Sequence, residues 1–239
     1  VTDSRDPLGD DISAVTLVDH MGHDIRVVNA ARVSMAKEST WELELVDDAT
    51  MPGDFPYYTN VLSERDVKLI NYLAKHNHWT PFSHVMITLR IKMPIFIARQ
   101  WFKHQVGFTR NEVSRRYVDD KPEFYMPEGW RKRAHTVKQG SSSETLPVSA
   151  NLKLVIGDLA YGYQELIDSG VAPEMARMVL PQSMYTEFYE TASLAAYARL
   201  IHLRSDPHAQ QEIQLYANAV SELITKVAPV SVEAISTHI

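Results

Sequence analysis

Hydrophobic and polar positions alternate most strictly after His84, where Val85, Ile87, Leu89, Ile91 and Met93 fall on one side and Thr88, Arg90 and Lys92 on the other. Side chains of a strand change face at every residue, so this run predicts a strand with one face in the core. Pro94 then suits the first turn of a short helix over IFIARQWF, where its missing N–H has no partner to lose. Upstream, Val15–Val18 and Ile25–Val28 flank DHMGHD and read as two short strands around a glycine-containing turn. Residues 36–60, with VDDATMPGDFP, read as an irregular insertion. A helix opens after Ser63, which can cap it; Asp66 follows three residues later, Leu62 can pack on Val67, and Val67, Ile70, Leu73 and Ala74 supply its buried face. A second irregular insertion lies near 130–150, where QGSSSETLPVSA predicts a surface loop.

Three helices are predicted beyond it. The first runs from Leu152 to Asp168, turns Leu152, Val155, Ile156, Leu159, Tyr163 and Leu166 inward, and stops at Gly170. The second starts near Pro173 and is interrupted or ended by Pro181. The third takes Asp206 as its cap and Pro207 as its first residue, with Ala209, Ile213, Tyr216, Val220 and Leu223 as its apolar stripe. Strands early and helices late give an α+β class, and no linker divides the chain, so one domain over residues 1–239 is expected.

Composition narrows the class without changing it. With 239 residues, 45% hydrophobic and 23% charged, the chain can bury a sizeable core. A net charge of −6 argues against general nucleic-acid affinity, so any anion site must be local. Lys92 and Pro94 interrupt the apolar stretch at 91–98, so no membrane-spanning run is expected. The acidic start VTDSRDPLGDD is unlike a secretory signal, and an intracellular, cytoplasmic location is the expectation. There is no cysteine, which removes disulfides, thiolate metal sites and cysteine nucleophiles together. GxGxxG and GxxxxGK[ST] are both missing, so a flavin or nucleotide would have to bind by another route.

Residues 102–117, FKHQVGFTRNEVSRRY, concentrate Lys103, His104, Arg110, Arg115 and Arg116 around one acid, Glu112. Such a cluster is either a solvated face or, with its small polar residues beside guanidinium forks, a phosphate-type anion site. Ser114 has no base placed near it by sequence, so phosphate binding suits it better than nucleophilic attack. In HNHWTPFSH (76–84), His76 and His78 would share a face and could bind zinc if extended. No carboxylate lies nearby and WTPF favours a turn, so they are read as ordinary histidines and no metal is assigned. Arg204 and His208 flank Asp206, either as an anion site at a helix start or with Arg204 paired to Asp206.

The cationic stretch resembles the signature of the flavin-dependent thymidylate synthases: Arg-His-Arg, seven residues, then Ser, extended by x-Arg-Tyr. Here Lys103-His104-Gln105 is followed by eight residues and then Ser114-Arg115-Arg116-Tyr117. Further blocks resemble the family in order: MGHDIRVVNAARVS as a strand-to-helix region, HNHWTPFSH, PIFIARQWF, and ARMVLPQSMYTEFY and LRSDPHAQQEIQ as C-terminal helices. The resemblance implies a mostly antiparallel sheet flanked by helices with a helical C-terminal half. It implies reductive methylation of dUMP to dTMP, with methylenetetrahydrofolate giving the carbon and NADPH reducing a bound FAD, and no cysteine nucleophile. It implies a homotetramer with sites between subunits and no nucleic-acid or membrane partner. Either a cellular or a viral gene fits.

Carried over by position, Gln100, Lys103, Glu112, Val113, Ser114, Arg115 and Arg116 would surround dUMP, with Arg177 reaching its phosphate from another subunit. Arg204 would be the catalytic arginine that favours ionisation of uracil. Ser34, Thr80, Lys103, His104, Gln105, Glu112, Arg199 and His208 would line FAD, and His78 and Tyr117 would form a mobile wall over flavin and folate. Lys103 and Gln105 depart from the signature arginines, and Ser193, Ala195 and Arg199 stand where Asn, Arg and Asn are usual. Arg110 and Arg199 are expected to restore the missing guanidinium charge. The altered signature also fits a homologue that binds flavin and nucleotide without efficient turnover.

Overall fold

The structure is a computed structural model that describes residues 3–46, 56–118, 120–134 and 140–238. Its centre is the predicted strand, β5 (Met86–Pro94), whose inward residues Ile87, Leu89, Ile91 and Met93 have no exposure. Each such side chain contributes about 1.5–3 kcal/mol by leaving water. On one side β5 pairs antiparallel with β2 (Ala14–Met21), itself edged by β1 (Ser4–Arg5). On the other it pairs antiparallel with β9 (Tyr185–Ser193), and β9 with β6 (Phe108–Glu112), giving the sheet order β1-β2-β5-β9-β6. The α+β class and the antiparallel sheet are as expected, but the β9 strand was hidden. Its inward row contains Thr186 and Glu190, so period-two hydrophobicity is broken where Leu89 pairs with Glu190.

Helices cover the inward face. α2 (Glu64–Lys75) starts as predicted, with the Ser63 hydroxyl accepting from the Asp66 N–H, and buries Ile70, Leu73 and Ala74. α6 (Leu194–Arg204), α7 (Gln211–Val227) and α8 (Pro229–His238) follow β9, and α8 packs on α2. The stripe Ile213, Tyr216, Val220 and Leu223 is fully buried as expected. Its helix begins later than predicted, however. Asp206 accepts from the N–H groups of His208 and Ala209 at 2.7 and 2.9 Å and forms a turn that contains Pro207, while Gln210 occupies the cap position. No described helix is long and apolar enough to cross a membrane.

Four other expectations are corrected. Ile25–Val28 lies in α1 (Asp24–Arg32), not in a strand. Gly22, at φ +89°, turns the chain, Asp24 sits in the first helical turn, and that carboxylate accepts from the N–H groups of Val230 and Ser231 at the start of α8. The 36–60 insertion contains a hairpin of β3 (Glu42–Val46) and β4 (Tyr57–Val61), whose β-formers pair Leu45 with Tyr58; residues 47–55 lie outside the described set. The 130–150 segment is likewise a hairpin, β7 (Gly129–Arg133) with β8 (Ser141–Pro147), apart from 135–139, which lie outside the described set. α4 (Ala150–Asp168) forms as predicted but buries Tyr163 alone of its expected inward set; Val155 is exposed. It packs on the short α5 (Pro173–Ala176) and the turn after it rather than on the sheet.

Candidate active site

α3 (Ile95–Trp101) leads from the core strand to the cationic segment. Backbone bonds from Lys103 to Gln100, His104 to Trp101 and Phe108 to Gln105 fold residues 102–108 into a compact turn. The turn is pressed against α6. Gly107 has φ +84°, and a Cβ there would lie 3.1 Å from the Ala196 Cβ, so both conformation and space favour glycine. Arg199 donates to the Val106 carbonyl at 3.0 Å, and Arg204 Nε donates to His104 Nε2 at 2.8 Å. Arg204 therefore pairs with His104 rather than with Asp206. Since Nε2 accepts, the neutral ring carries its proton on Nδ1.

The electrostatics follow from that packing. Burial, then the nearby charges of Arg204, Arg110 and Arg199, pushes His104 from the usual histidine range down to about 4. Burial also lowers Arg204, which as a guanidinium remains charged. Between about 4 and 6.5 the unfolded chain binds a proton at His104 and the folded chain does not, so stability rises with pH across that window. The contribution is complete above the unfolded value and is lost as pH falls towards about 4. Discounted for a half-buried ring, it is worth roughly 1–2 kcal/mol. Urea unfolding of His104→Asn is expected to show a correspondingly flatter stability profile between pH 6.5 and 4 than the unaltered chain.

A cleft of about 170 Å³ beside Arg199 is lined by Asn77, His78, Trp79, Ala195 and Ala198. It joins the histidine-rich segment to the signature turn. His76 and His78 do not share a strand face: Asn77 takes φ +54°, and both rings lie beside Tyr72, at 4.4 and 6.0 Å between centroids. At the other end of the turn Gln100 donates to Gln210 at 2.5 Å. Gln210 donates to Glu212 at 2.9 Å, and Glu212 takes a bidentate bond from Arg131 at 2.7 and 2.8 Å. Burial would raise Glu212, but the Arg131 and Gln210 bonds outweigh it and leave the carboxyl below its usual range. The β7–β8 hairpin is thereby tied to Gln100. Gln210 and Glu212 lie in the family-like block LRSDPHAQQEIQ but are not singled out there, and Arg131 belongs to no such block.

The structure thus gathers His78, Arg199, His104 and Arg204, with Lys103 and Gln105 on the same turn and Gln100 at its base. β6 and the turn after it carry the rest of the signature. Glu112 accepts from the Thr186 hydroxyl at 2.6 Å instead of pairing with a cation, and Ser114 accepts from Arg116 at 3.4 Å. Arg115 bonds the Asp120 carbonyl, and Tyr117 and Val113 are exposed. Arg110 is engaged inward with buried Glu190, whereas Arg199 stays at the surface. Ser34 (bonded to the Ala31 carbonyl), Thr80 and His208 are all exposed. Arg177 is exposed and bonds its own Glu174 carbonyl; no hydrogen bond or ion pair among the described residues joins it to the turn.

The family model described as thymidylate synthase complementing protein matches residues 16–230. A flavin-dependent thymidylate synthase of Thermus thermophilus is 40% identical over 227 residues, which is 94% of this chain and 76% of that protein. The enzyme of the same name from Thermosipho africanus is 40% identical over 224 residues, covering 91% of this chain and 88% of its own length. Among solved structures, PolB, a UMP/dUMP methylase from Streptomyces cacaoi bound with 5-Br dUMP, superposes with a TM-score of 0.75 at 30% identity, covering 93% of this chain and 94% of PolB. A family model that matches most of the chain and relatives at 40% identity over most of both lengths show that the chain belongs to the family of flavin-dependent thymidylate synthases.

Proposed function

We propose that this chain methylates dUMP reductively to dTMP, taking the carbon from methylenetetrahydrofolate and using NADPH to reduce a bound FAD. The observation that carries this reading is that Arg199 and Arg204 of α6 meet the signature turn, Arg204 at His104, in a chain that has no cysteine to activate uracil. FAD, when bound, supplies the hydride that completes the methyl group. The donor set suits such an anionic, acceptor-rich cofactor: His104 with its proton on Nδ1 and the exposed Lys103 share the turn, and exposed Arg199, bonded to that turn, lines the cleft with His78 and Trp79. In this reading Ser34, Thr80, Gln105, Glu112 and His208 extend that set.

Arg204 stabilises the uracil anion. Its Nε is occupied by His104, and no hydrogen bond among the described residues engages its two terminal nitrogens, which leaves a fixed fork for a planar, negatively charged edge. Gln100, Lys103, Glu112, Val113, Ser114, Arg115 and Arg116 orient the nucleotide, and His78 and Tyr117 form part of the wall over flavin and folate. Arg177 reaches the phosphate from a second subunit of a homotetramer, a reading supported by its exposure and by the exposed apolar residues Met175, Met178 and Tyr117. The test is dTMP release from dUMP, methylenetetrahydrofolate and NADPH by purified, flavin-loaded protein. Turnover is expected; a fully flavinated protein that binds dUMP and makes no dTMP would overturn the reading in favour of a binding homologue.

A further inference from the structure

Glu190 sits in the middle strand pair of the sheet with no exposure. A carboxylate there is costly unless its oxygens are satisfied. They accept the indole N–H of Trp101 at 3.1 and 3.2 Å and the Nε–H of Arg110, its neighbour across the β6–β9 pairing. The Tyr197 hydroxyl reaches the Glu190 backbone carbonyl at 3.4 Å. Arg110 lies 5.4 Å from the Phe102 ring and 4.6 Å from the Phe108 ring, and its Nη1 donates to the His104 carbonyl at 2.5 Å. One Arg110 nitrogen, Nη2, is buried without a partner.

One buried anion therefore fastens Trp101 just before the signature turn, Arg110 on the strand after it and, through Arg110, the carbonyl of His104 at its middle. Stability alone is a weak reason to keep such a pair, since apolar residues of similar volume commonly replace buried ion pairs without loss. What an apolar pair could not reproduce is the bond to the His104 backbone. We propose that Glu190 and Arg110 are positioning residues that set His104 against Arg204, and with it the cofactor-binding edge of the turn, without touching substrate. The cofactor half of this inference rests on the flavin reading above; the placement of His104 does not.

The test uses the full chain as Glu190→Leu/Arg110→Met, which removes both charges together, and as Arg110→Lys, whose ammonium can pair with Glu190 but cannot also span to the His104 carbonyl. Unfolding should show both variants folded. FAD affinity, read from quenching of flavin fluorescence, is expected to fall at least about tenfold in both, an effect on the scale of about 1.4 kcal/mol. The ring ¹⁵N titration of His104 gives a cofactor-free readout. The charged groups around that ring are Arg204 and Arg199 from α6 and Arg110 from β6. In Arg110→Lys, which keeps the charge at that position, its midpoint is expected to climb from about 4 towards the ordinary histidine range as the ring leaves Arg204; in the double variant the loss of the Arg110 charge adds to the rise, so Arg110→Lys decides this readout.

Folded variants that keep both the unaltered FAD affinity and the low midpoint would overturn the proposal and leave the pair a structural feature only. If the unaltered protein takes up no FAD, the flavin reading fails, while the titration still decides the positioning role. A double variant that does not fold leaves Arg110→Lys to decide by the same two measurements.

Discussion

Replacing Arg204 with alanine is expected to lower dTMP formation by about 10²–10³-fold in a protein that remains folded, the loss seen when one preorganised donor to a developing anion is removed. Arg204 is the last residue of α6, where the helix terminus favours a cation, and it is half-buried, so its charge acts at reduced dielectric. Its Nε–H···Nε2 bond to His104 fixes the plane of the guanidinium. Alanine removes the charge and the fork and leaves the His104 ring unanchored. Arg204→Lys keeps the charge but gives a single movable point in place of the fork, so it should fall between the two. The readout is kcat at saturating dUMP and folate, with flavin absorbance showing that the variant is loaded. Because Arg204 makes no ion pair among the described residues, thermal unfolding should move by only a few degrees. An unchanged kcat in flavin-loaded Arg204→Ala would remove Arg204 from the chemistry.

The elements most legible in the sequence are those whose pattern is decided locally. β5 alternates without a break, and α2 announces itself through Ser63, Asp66 and its apolar spacing; both stand where expected. β9 was hidden because its inward row admits Thr186 and Glu190, which make sense only once Glu112 and Arg110 face them from the edge strand. Ile25–Val28 carries β-branched residues but is helical because Asp24 meets the N-terminus of α8, some two hundred residues later in sequence. The site shows the same division. The signature residues could be named from their spacing, whereas the partner that fixes each one lies on another element: Arg204 for His104, Gln210 for Gln100, Glu190 for Arg110. Arg110 reads in the sequence as a replacement for missing guanidinium charge, and only tertiary pairing shows that it bonds Glu190 and the His104 carbonyl.

Asp66→Ala should be the most destabilising single change outside the sheet, by about 3–5 kcal/mol, because it strands a buried cation. One Asp66 oxygen accepts from Arg32, through Nε at 3.1 Å and Nη2, and from the Ser39 hydroxyl at 3.1 Å; the other accepts from Ser63 at 2.9 Å. The Arg32 and Asp66 side chains are only 10% and 3% exposed, so water cannot replace the lost partner. For a chain of this size the change corresponds to a fall in Tm of about 10 °C or more. The consequence reaches the site, since Arg32 and Ser39 bracket the segment that carries Ser34, and Asn29 closes the same segment through two bonds to the Ser39 backbone. Burial would raise the Asp66 carboxyl, but the Arg32, Ser63 and Ser39 bonds hold it below its ordinary value. Its contribution is therefore present above the usual carboxylate range and lost as pH falls through the lowered folded value. Urea unfolding at neutral pH measures the cycle formed by Asp66→Leu, Arg32→Met and the double variant. The single changes should each be costly and the double much less than their sum, because the penalty comes from the unpaired charge rather than from the missing bond. Additive losses would mean instead that water already reaches Arg32, and that α1 and α2 are held together by their apolar faces alone.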